Sequence, residues 1–397
     1  MKEEHLNFLK CLSVFFIGLA VATETGKILG IAAVIGLIAC IFDRNRFVNF
    51  KSKVFNATIA LFLVYVGTIS VIAIAQGNLH GLRMIMRDFE KIVSFLIIYF
   101  FIGDVKNAFV YGATGAVIGY FFGEITVFYD AFCGVSEYGN RYGGMYGNPN
   151  GLGSILELAT PFIIFSSYKL RDRGILFYIS LVALTCIVPC LLLSGSRGAM
   201  MAIGTELIIF AAIVYFRKQN IKLSKFHVVG VVLFITVGIV IFASSYERSY
   251  DTERVLLWVS SWHMFLDYPI FGVGFGNWAE YYKASYISPL SKEPWLPNPH
   301  NLYLYLLSET GIVGFISYVV MNLGMLRIAA KSSLRIFTDE KQIINIADMY
   351  IIVMCGVLVH NLVDTSAIFR YCLLILFFYW GLFCIELRNY SKIYNEI

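Results

Sequence analysis

Charge is scarce in this sequence. Only 14% of its 397 residues are Asp, Glu, Lys or Arg, against about 25% in ordinary soluble proteins. So few charges cannot cover the water-facing surface of a soluble protein of this length, and a disordered chain is excluded by the same deficit. Cysteines number eight, but Cys11, Cys40, Cys186, Cys190, Cys355, Cys372 and Cys384 lie in apolar runs and only Cys133 falls in a polar loop. They form no disulfide framework and read as small core residues. What the chain has in excess is apolar sequence, 58% of all residues, with a mean hydropathy of +0.73. At about 20 apolar residues per span, this predicts an all-α, polytopic integral membrane protein of about 12 transmembrane helices, forming one transmembrane domain over residues 1–397.

The apolar stretches run from Phe8 to Ala22, Ile28 to Phe42, Phe55 to Ala75, Ile92 to Ile102 with its flanks, Ala108 to Tyr129, Leu152 to Ser167 and Ile175 to Leu193. They continue from Ala199 to Phe216, Phe226 to Ala243, Leu302 to Met325, Ile343 to Val359 and Ile368 to Ile385. With the N-terminus cytoplasmic, about 20 of the 31 Lys and Arg residues fall inside, among them Arg44, Arg46, Lys51 and Lys53, then Lys169, Arg171 and Arg173, then Arg217, Lys218, Lys222 and Lys225, then Arg327, Lys331, Arg335 and Lys341. Lys2, Lys10, Lys106, Arg388 and Lys392 complete that set. Both termini are therefore expected in the cytoplasm. The net charge of +5 is this topological signal and calls for no nucleic-acid partner. Ala20-Val21-Ala22 resembles a signal peptidase site, but Glu3, Glu4 and the many later spans favour an uncleaved first helix.

Two outer loops stand out by length, Asp130 to Asn150 and Ser244 to His300, and long loops in compact proteins are functional or disordered. The second carries Trp258, Trp262, Tyr268, Pro269, Trp278, Tyr281, Tyr282 and Trp295. Such a composition is unlike disorder and suits the membrane interface or contact with a sugar. One or two short helices are expected there, Arg254 to Leu266 being the best candidate, and the loop is expected to carry part of the active site.

Three basic residues face the outer side. Arg197 lies in Ser194-Gly195-Ser196-Arg197-Gly198-Ala199 between two apolar runs. It is either an interfacial topology anchor or a functional cation that small neighbours let an anion approach. Arg254 heads an apolar-periodic stretch, and taken alone it reads as a solvated charge. His300 stands in Pro297-Asn298-Pro299-His300-Asn301 before a span, with Asn301 placed to cap the helix. Together two arginines can hold a phosphate or pyrophosphate and a histidine can take a proton from an attacking hydroxyl. No Asp-x-Asp pair occurs, which gives the work of neutralising a diphosphate to the arginines and not to a metal.

These segments resemble the O-antigen ligase and O-antigen polymerase superfamily. The resemblance rests on the Ser194–Ala199 run, Arg254 with Trp258, Tyr268-Pro269-Ile270-Phe271-Gly272-Val273-Gly274-Phe275-Gly276-Asn277, His300-Asn301-Leu302-Tyr303-Leu304 and Glu309-Thr310-Gly311-Ile312-Val313-Gly314. The upstream Arg141-Tyr142-Gly143-Gly144-Met145-Tyr146-Gly147-Asn148-Pro149-Asn150 is similar to the same family's landmark before a span. The ordered set covers Arg141 to Asp364. It implies a type C membrane glycosyltransferase of the bacterial inner membrane, without cofactor or metal, its site facing the periplasm. The implied donor is a glycan on undecaprenyl pyrophosphate, transferred with inversion to a glycolipid or glycan acceptor. Carried over, Arg197 and Arg254 bind the pyrophosphate and His300 activates the acceptor, with Arg141, Asn150, Asn301 and Arg87 as further substrate-binding candidates. Arg83 and Lys91 could add charge to the same site.

Ligase and polymerase remain alternatives: one transfers finished polymer to a lipid A core hydroxyl, the other extends the chain on its carrier. The single long loop with its ordered Arg and His set favours the ligase. Protein-glycosylating relatives often carry a further soluble C-terminal portion, so the short run after Ile385 speaks against a protein acceptor. A transporter or flippase is the rival from another class, but such carriers show half-to-half similarity and often a central cytoplasmic loop. Here only Tyr168 to Gly174 joins the sixth and seventh spans.

The remaining signals have plainer readings. Gly272, Gly274 and Gly276 follow no strand, so a tight turn is preferred to a phosphate loop. Gly115, Gly119 and Gly123 repeat every fourth residue and read as close helix packing, with a dimerisation face as the alternative. Glu124, Glu157 and Glu206 lie within spans and are expected to form structural polar pairs. His360 and Asp364, one turn apart, could orient the site or satisfy each other.

Overall fold

A computed structural model describes residues 1–103, 105, 107–221, 238, 249–365, 370–388 and 390. The described residues contain no strand. The first helices are α1 (Glu3–Ala22), α2 (Gly26–Phe42), α3 (Lys53–Ala75), α4 (Leu79–Lys91), α5 (Val93–Phe101) and α6 (Ala108–Cys133). They are followed by α7 (Pro149–Leu170), α8 (Ile175–Ser194), α9 (Arg197–Lys218) and α10 (Ser249–Asp267). The one-turn α11 (Trp278–Tyr281), then α12 (Leu302–Glu340), α13 (Ile346–His360) and α14 (Arg370–Leu387) complete the set. Backbone polar groups in a lipid core must be satisfied within the segment, which is why apolar runs of this length become helices. Seven of them, α1, α3, α6, α7, α8, α9 and α12, are long and apolar enough to cross a membrane. Shorter apolar helices run over Gly26–Phe42, Ile346–His360 and Tyr371–Leu387. The chain is a multi-pass, all-α membrane protein. The expected span Phe226 to Ala243 lies outside the described residues, as do Lys106, Lys222, Lys225 and Lys392 of the basic set.

The stretch from Ile92 to Ile102, expected with its flanks as one span, holds only a short helix. Ile92 has φ −100° and ψ 5° and separates α4 from α5, whose nine residues reach only about 14 Å at 1.5 Å per residue. The buried Asn49 takes over the end of α5: its Nδ2 donates to the carbonyls of Ile98, Tyr99 and Ile102 at 2.9, 3.0 and 2.7 Å. That satisfies acceptors which a helix end in a dry core would otherwise leave bare.

Within lipid the hydrophobic effect does not drive helices together, so close backbone contact and polar pairing must do so. The glycine ladder supplies the contact. A Cβ at Gly115 would strike the Phe15 carbonyl, and one at Gly119 would come within 2.7 Å of the Ala22 side chain. The ladder thus packs α6 on α1 inside one chain. Polar pairing ties the Lys- and Arg-rich ends. Lys10 Nζ meets Asp43 Oδ2 at 2.6 Å, and Arg217 forks onto both oxygens of the fully buried Asp348 at 2.6 and 2.7 Å. Asp348 also closes a capping box with Asn345 at the start of α13. Helix α7 is the most enclosed of the seven long ones, with 83% of its apolar window inside the protein.

Helix α12 is broken at Gly311, whose φ of 61° and ψ of −168° lie in a region open essentially to glycine alone. The segment Pro269 to Gly274 docks into the break. Val273 N donates to Ser308 O and Gly274 N to Glu309 O, both at 2.9 Å, and Ile312 N donates to Pro269 O at 2.9 Å. The buried Glu309 carboxylate then accepts the backbone N–H groups of Gly276 and Trp278 at 2.9 and 3.0 Å. The glycine triplet is therefore a tight turn seated on a kinked helix, which anchors the outer segment to the membrane bundle. A Cβ at Gly311 would collide with the Ile270 backbone. Gly311→Ala is expected to destabilise the protein by at least about 2 kcal/mol, read as a lower melting temperature in detergent. Ile312→Ala, at a 39% exposed residue, should leave it within about 0.5 kcal/mol.

Candidate active site

Where α7, α9 and α12 begin and α13 ends, the structure encloses a cavity of about 620 Å³, within the range of about 300–1,000 Å³ usual for ligand sites. Arg141, Asn150, Arg197, Arg254 and His300 all line it, together with His360 and Asp364. These residues come from sequence positions more than two hundred apart, so the fold alone brings them together. Lys169 sits at the far end of α7 and Arg217 and Lys218 at the far end of α9, each helix being 22 residues long, or about 33 Å.

Each cation is positioned by its local backbone. Helix α8 ends at Gly195, with φ +59°, and Ser196 caps α9, its hydroxyl accepting from Ala199 N at 3.4 Å. Arg197 is thereby the first residue of α9, set at a helix N-terminus that itself favours anions. Arg254 projects from α10, and its Nη1 donates to the Val363 carbonyl at 2.8 Å. Arg141 donates through Nε to the Ser194 carbonyl at 2.8 Å and through Nη2 to Asn150 Oδ1 at 2.6 Å. Arg141 and Asn150 thus reach the cavity already engaged with each other. The small residues around Arg197 are used differently from the expectation that they leave room for a ligand. Arg141 fills the space beside Gly195, and the His360 ring fills the space beside Gly198, where a Cβ would lie 2.6 Å from Nε2.

His300 is held with unusual completeness. Its φ of 49° costs about 1–2 kcal/mol for a non-glycine residue, strain of a kind that collects at functional sites. His300 N donates to Asn298 Oδ1 at 3.0 Å, and Trp258 Nε1 donates to the Pro299 carbonyl at 2.9 Å. Its Nδ1 lies 3.2 Å from Asp364 Oδ1, and Asp364 Oδ1 accepts from Thr365 N at 2.7 Å. A carboxylate on Nδ1 selects the tautomer whose Nε2 carries the lone pair, the arrangement a general base needs. Burial raises the Asp364 carboxyl, but the His300 hydrogen bond and the charges of His360, His300 and Arg254 outweigh it and hold the group down at about 2.

His360 and Asp364 do not satisfy each other. Asp364 pairs with His300, and His360 Nδ1 makes a short hydrogen bond with Glu157 Oε2, both side chains being 1% exposed. Glu157 therefore meets the expectation of a polar pair, whereas Glu124 and Glu206 do not: they are buried, and neither carboxylate has a hydrogen-bond partner among the described residues. Two substrate-binding candidates fall away from the cavity. Asn301 is a cap, its Oδ1 accepting from Leu304 N at 3.0 Å and its Nδ2 donating to Leu362 O at 2.9 Å. Arg87 is exposed on α4 and does not line the cavity, nor does Arg83. Lys91 is buried elsewhere, beside Phe62 and Tyr65. The amphipathic α4 turns these basic residues along its own face, which its position in the chain could not reveal.

The outer segment is also more ordered than a pair of short helices. Its α10 has 19 residues, beginning five before Arg254. Trp278 and Tyr282 are fully buried and stack on each other at 4.7 Å, in one cluster with Leu257 and Met264, so they are core and not sugar contacts. Trp262, Tyr268 and Trp295 are the exposed ones. Carboxylates do enter the cavity: Glu137, Glu253 and Glu293 line it beside Asp364. Glu253 is committed to the loop, accepting from Ser291 Oγ at 2.8 Å and Lys292 N at 2.6 Å. Burial raises its carboxyl, and these donors more than reverse that.

The arrangement offers two guanidiniums and a helix N-terminus for an anion, next to an imidazole oriented by a carboxylate. Among the described residues no three His, Cys, Asp or Glu side chains are grouped to hold a metal ion. No curated protein matches the chain. Residues 158–319 match the family model described as O-antigen ligase, a stretch that contains Arg197, Arg254, His300, the docked glycine turn and the Gly311 kink. Over that stretch, within the multi-pass helical fold around it, the chain is similar to the O-antigen ligase family.

Proposed function

We propose that the protein is a membrane glycosyltransferase that moves a glycan from undecaprenyl pyrophosphate to an acceptor hydroxyl, the ligase reaction onto a lipid A core. The observation that carries this reading is the cavity itself: Arg197 and Arg254 from separate elements and the His300–Asp364 pair face one space at the end of the bundle away from the Lys- and Arg-rich loops. With those loops cytoplasmic, both termini lie inside and the cavity opens to the periplasmic face of the inner membrane. Arg197 and Arg254 neutralise the pyrophosphate and stabilise the charge that grows on it as the glycosidic bond breaks. His300 Nε2 takes the proton of the acceptor hydroxyl, which attacks the anomeric carbon from the face opposite the pyrophosphate, inverting it. Undecaprenyl pyrophosphate leaves as a stable anion, so no acid is needed, and the arginines take the place of a metal. Residues 244–300 act as the outer segment that brings Arg254 and His300 over the bundle.

The test uses purified protein in liposomes with a labelled lipid-linked glycan and a lipid A core acceptor. Labelled glycan should appear on the acceptor, with chelator making no difference. Glycan translocated without transfer would sink the reading in favour of a flippase, and a requirement for added magnesium would overturn the metal-free mechanism. In a deletion strain, polymer should accumulate on the carrier with bare core. Single repeat units on the core would identify a polymerase instead.

A further inference from the structure

The cavity holds a second imidazole, and the reaction above does not use it. His360 closes α13, is 1% exposed, and is fixed through Nδ1 by Glu157 of α7. Its Nε2 is buried and has no hydrogen-bond partner among the described residues. A buried imidazole nitrogen left without a partner costs about 1–3 kcal/mol, so its persistence in a lined cavity points to a ligand atom that completes it. The Cδ2–Nε2 edge of the ring lies against Gly198, the second residue of α9, where a Cβ would stand 2.5 Å from Cδ2 and 2.6 Å from Nε2. Nε2 therefore lies beside the same helix N-terminus that presents Arg197. The charged groups around the ring are Glu157 from α7, with Glu206 of α9 beyond it, Arg197 at the start of α9, Arg254 from α10 and Asp364 from the loop after α13.

We infer that His360 is a third binding group for the diphosphate: it takes up a solvent proton as the anion arrives and donates Nε2–H to a phosphoryl oxygen at the α9 N-terminus, with Glu157 on Nδ1 as its fixed counter-charge. This rests on the pyrophosphate reading of the cavity. In the empty site Glu157 is the partner of Nδ1, and Nε2 has none among the described residues. A diphosphate adds negative charge beside Nε2, and protonating that nitrogen adds a charge-assisted donor beside Arg197. The bond formed is N–H to the ring, and the proton comes from water. The role of Gly198 follows, because any side chain there would occupy the space of the ring.

Inorganic pyrophosphate is the probe, titrated calorimetrically into the full-length detergent-purified protein in two buffers of different ionisation enthalpy. The wild-type protein should bind it with net proton uptake. H360L should bind roughly 10-fold or more weakly, the loss expected for one hydrogen bond to a charged group, and without uptake. H360Q keeps a donor and should recover much of the affinity but none of the uptake, a split that a merely structural role would not produce. G198A, which leaves the histidine in the sequence but displaces its ring, should behave as H360L, and E157Q should lose the uptake; these two decide the matter if H360L does not fold. Wild-type affinity and wild-type proton uptake in a folded H360L or H360Q would overturn the inference. Failure of the wild type to bind, or equal binding by R197A, would instead remove the pyrophosphate reading and this proposal with it.

Discussion

Arg197→Ala and Arg254→Ala are each expected to cut glycan transfer by about 10³-fold or more while the protein remains inserted in the membrane. An arginine that stabilises charge on a departing phosphoryl group is worth about 10³–10⁵ in rate in other phosphate enzymes, and a preorganised donor about 10²–10³. The two need not be equal. Arg197 sits at the start of α9, so alanine there leaves the helix N-terminus as residual attraction for the anion. Arg254 also donates to the Val363 carbonyl, and its loss loosens the loop that carries Asp364. Lysine replacements keep the charge and lose the fork, so R197K and R254K should recover part of the binding and little of the rate. Membrane-fraction yield and transfer with a labelled donor check this, and near wild-type transfer in either alanine variant would remove that arginine from the clamp.

His300→Ala is expected to reduce the maximal rate by about 10²–10⁴-fold, the usual worth of a general base, with little change in donor KM because the arginines hold the donor. Asp364→Asn should also lower the rate while leaving the cavity intact, since an amide on Nδ1 no longer enforces the tautomer with a basic Nε2. The pH profile separates these roles. Asp364 is held at about 2, so its structural contribution is in place above the ordinary aspartate value of about 3.9 and fades as pH falls towards 2. It stays ionised throughout the working range. The low-pH side of the rate profile should therefore differ between the wild type and the residual activity of H300A. An unchanged low-pH side in that variant would assign the base elsewhere.

How much of this was readable in the sequence differs residue by residue. Arg197, Arg254 and His300 could be singled out because each departs from its surroundings: a charge or an imidazole beside an apolar run. The pairing of His300 with Asp364 could not be read, because Asp364 is 64 positions away and lies one turn from a nearer histidine that takes a different partner. Glu157 carried a signal as a buried acid within a span, but nothing in its neighbourhood names His360. Arg87 illustrates the opposite failure, since its charge was legible while the direction of α4 was not. The glycines of Ser194 to Ala199 were legible as small and could not be read as the seats of Arg141 and His360.

The sequence by itself determined the solvent. Fourteen per cent charge and 58% apolar residues leave helices in lipid as the only way to satisfy the backbone, and the distribution of Lys and Arg along the loops sets an expected orientation. These are sums over local composition, which a chain carries wherever it folds. Tertiary structure alone decided the partners: which histidine Asp364 orients, which imidazole keeps an unpartnered nitrogen, and how a glycine turn and the break at Gly311 lock the outer segment onto the bundle. Those depend on distances between side chains far apart in sequence, fixed by helix packing in which a single Cβ at Gly198 or Gly311 would not fit.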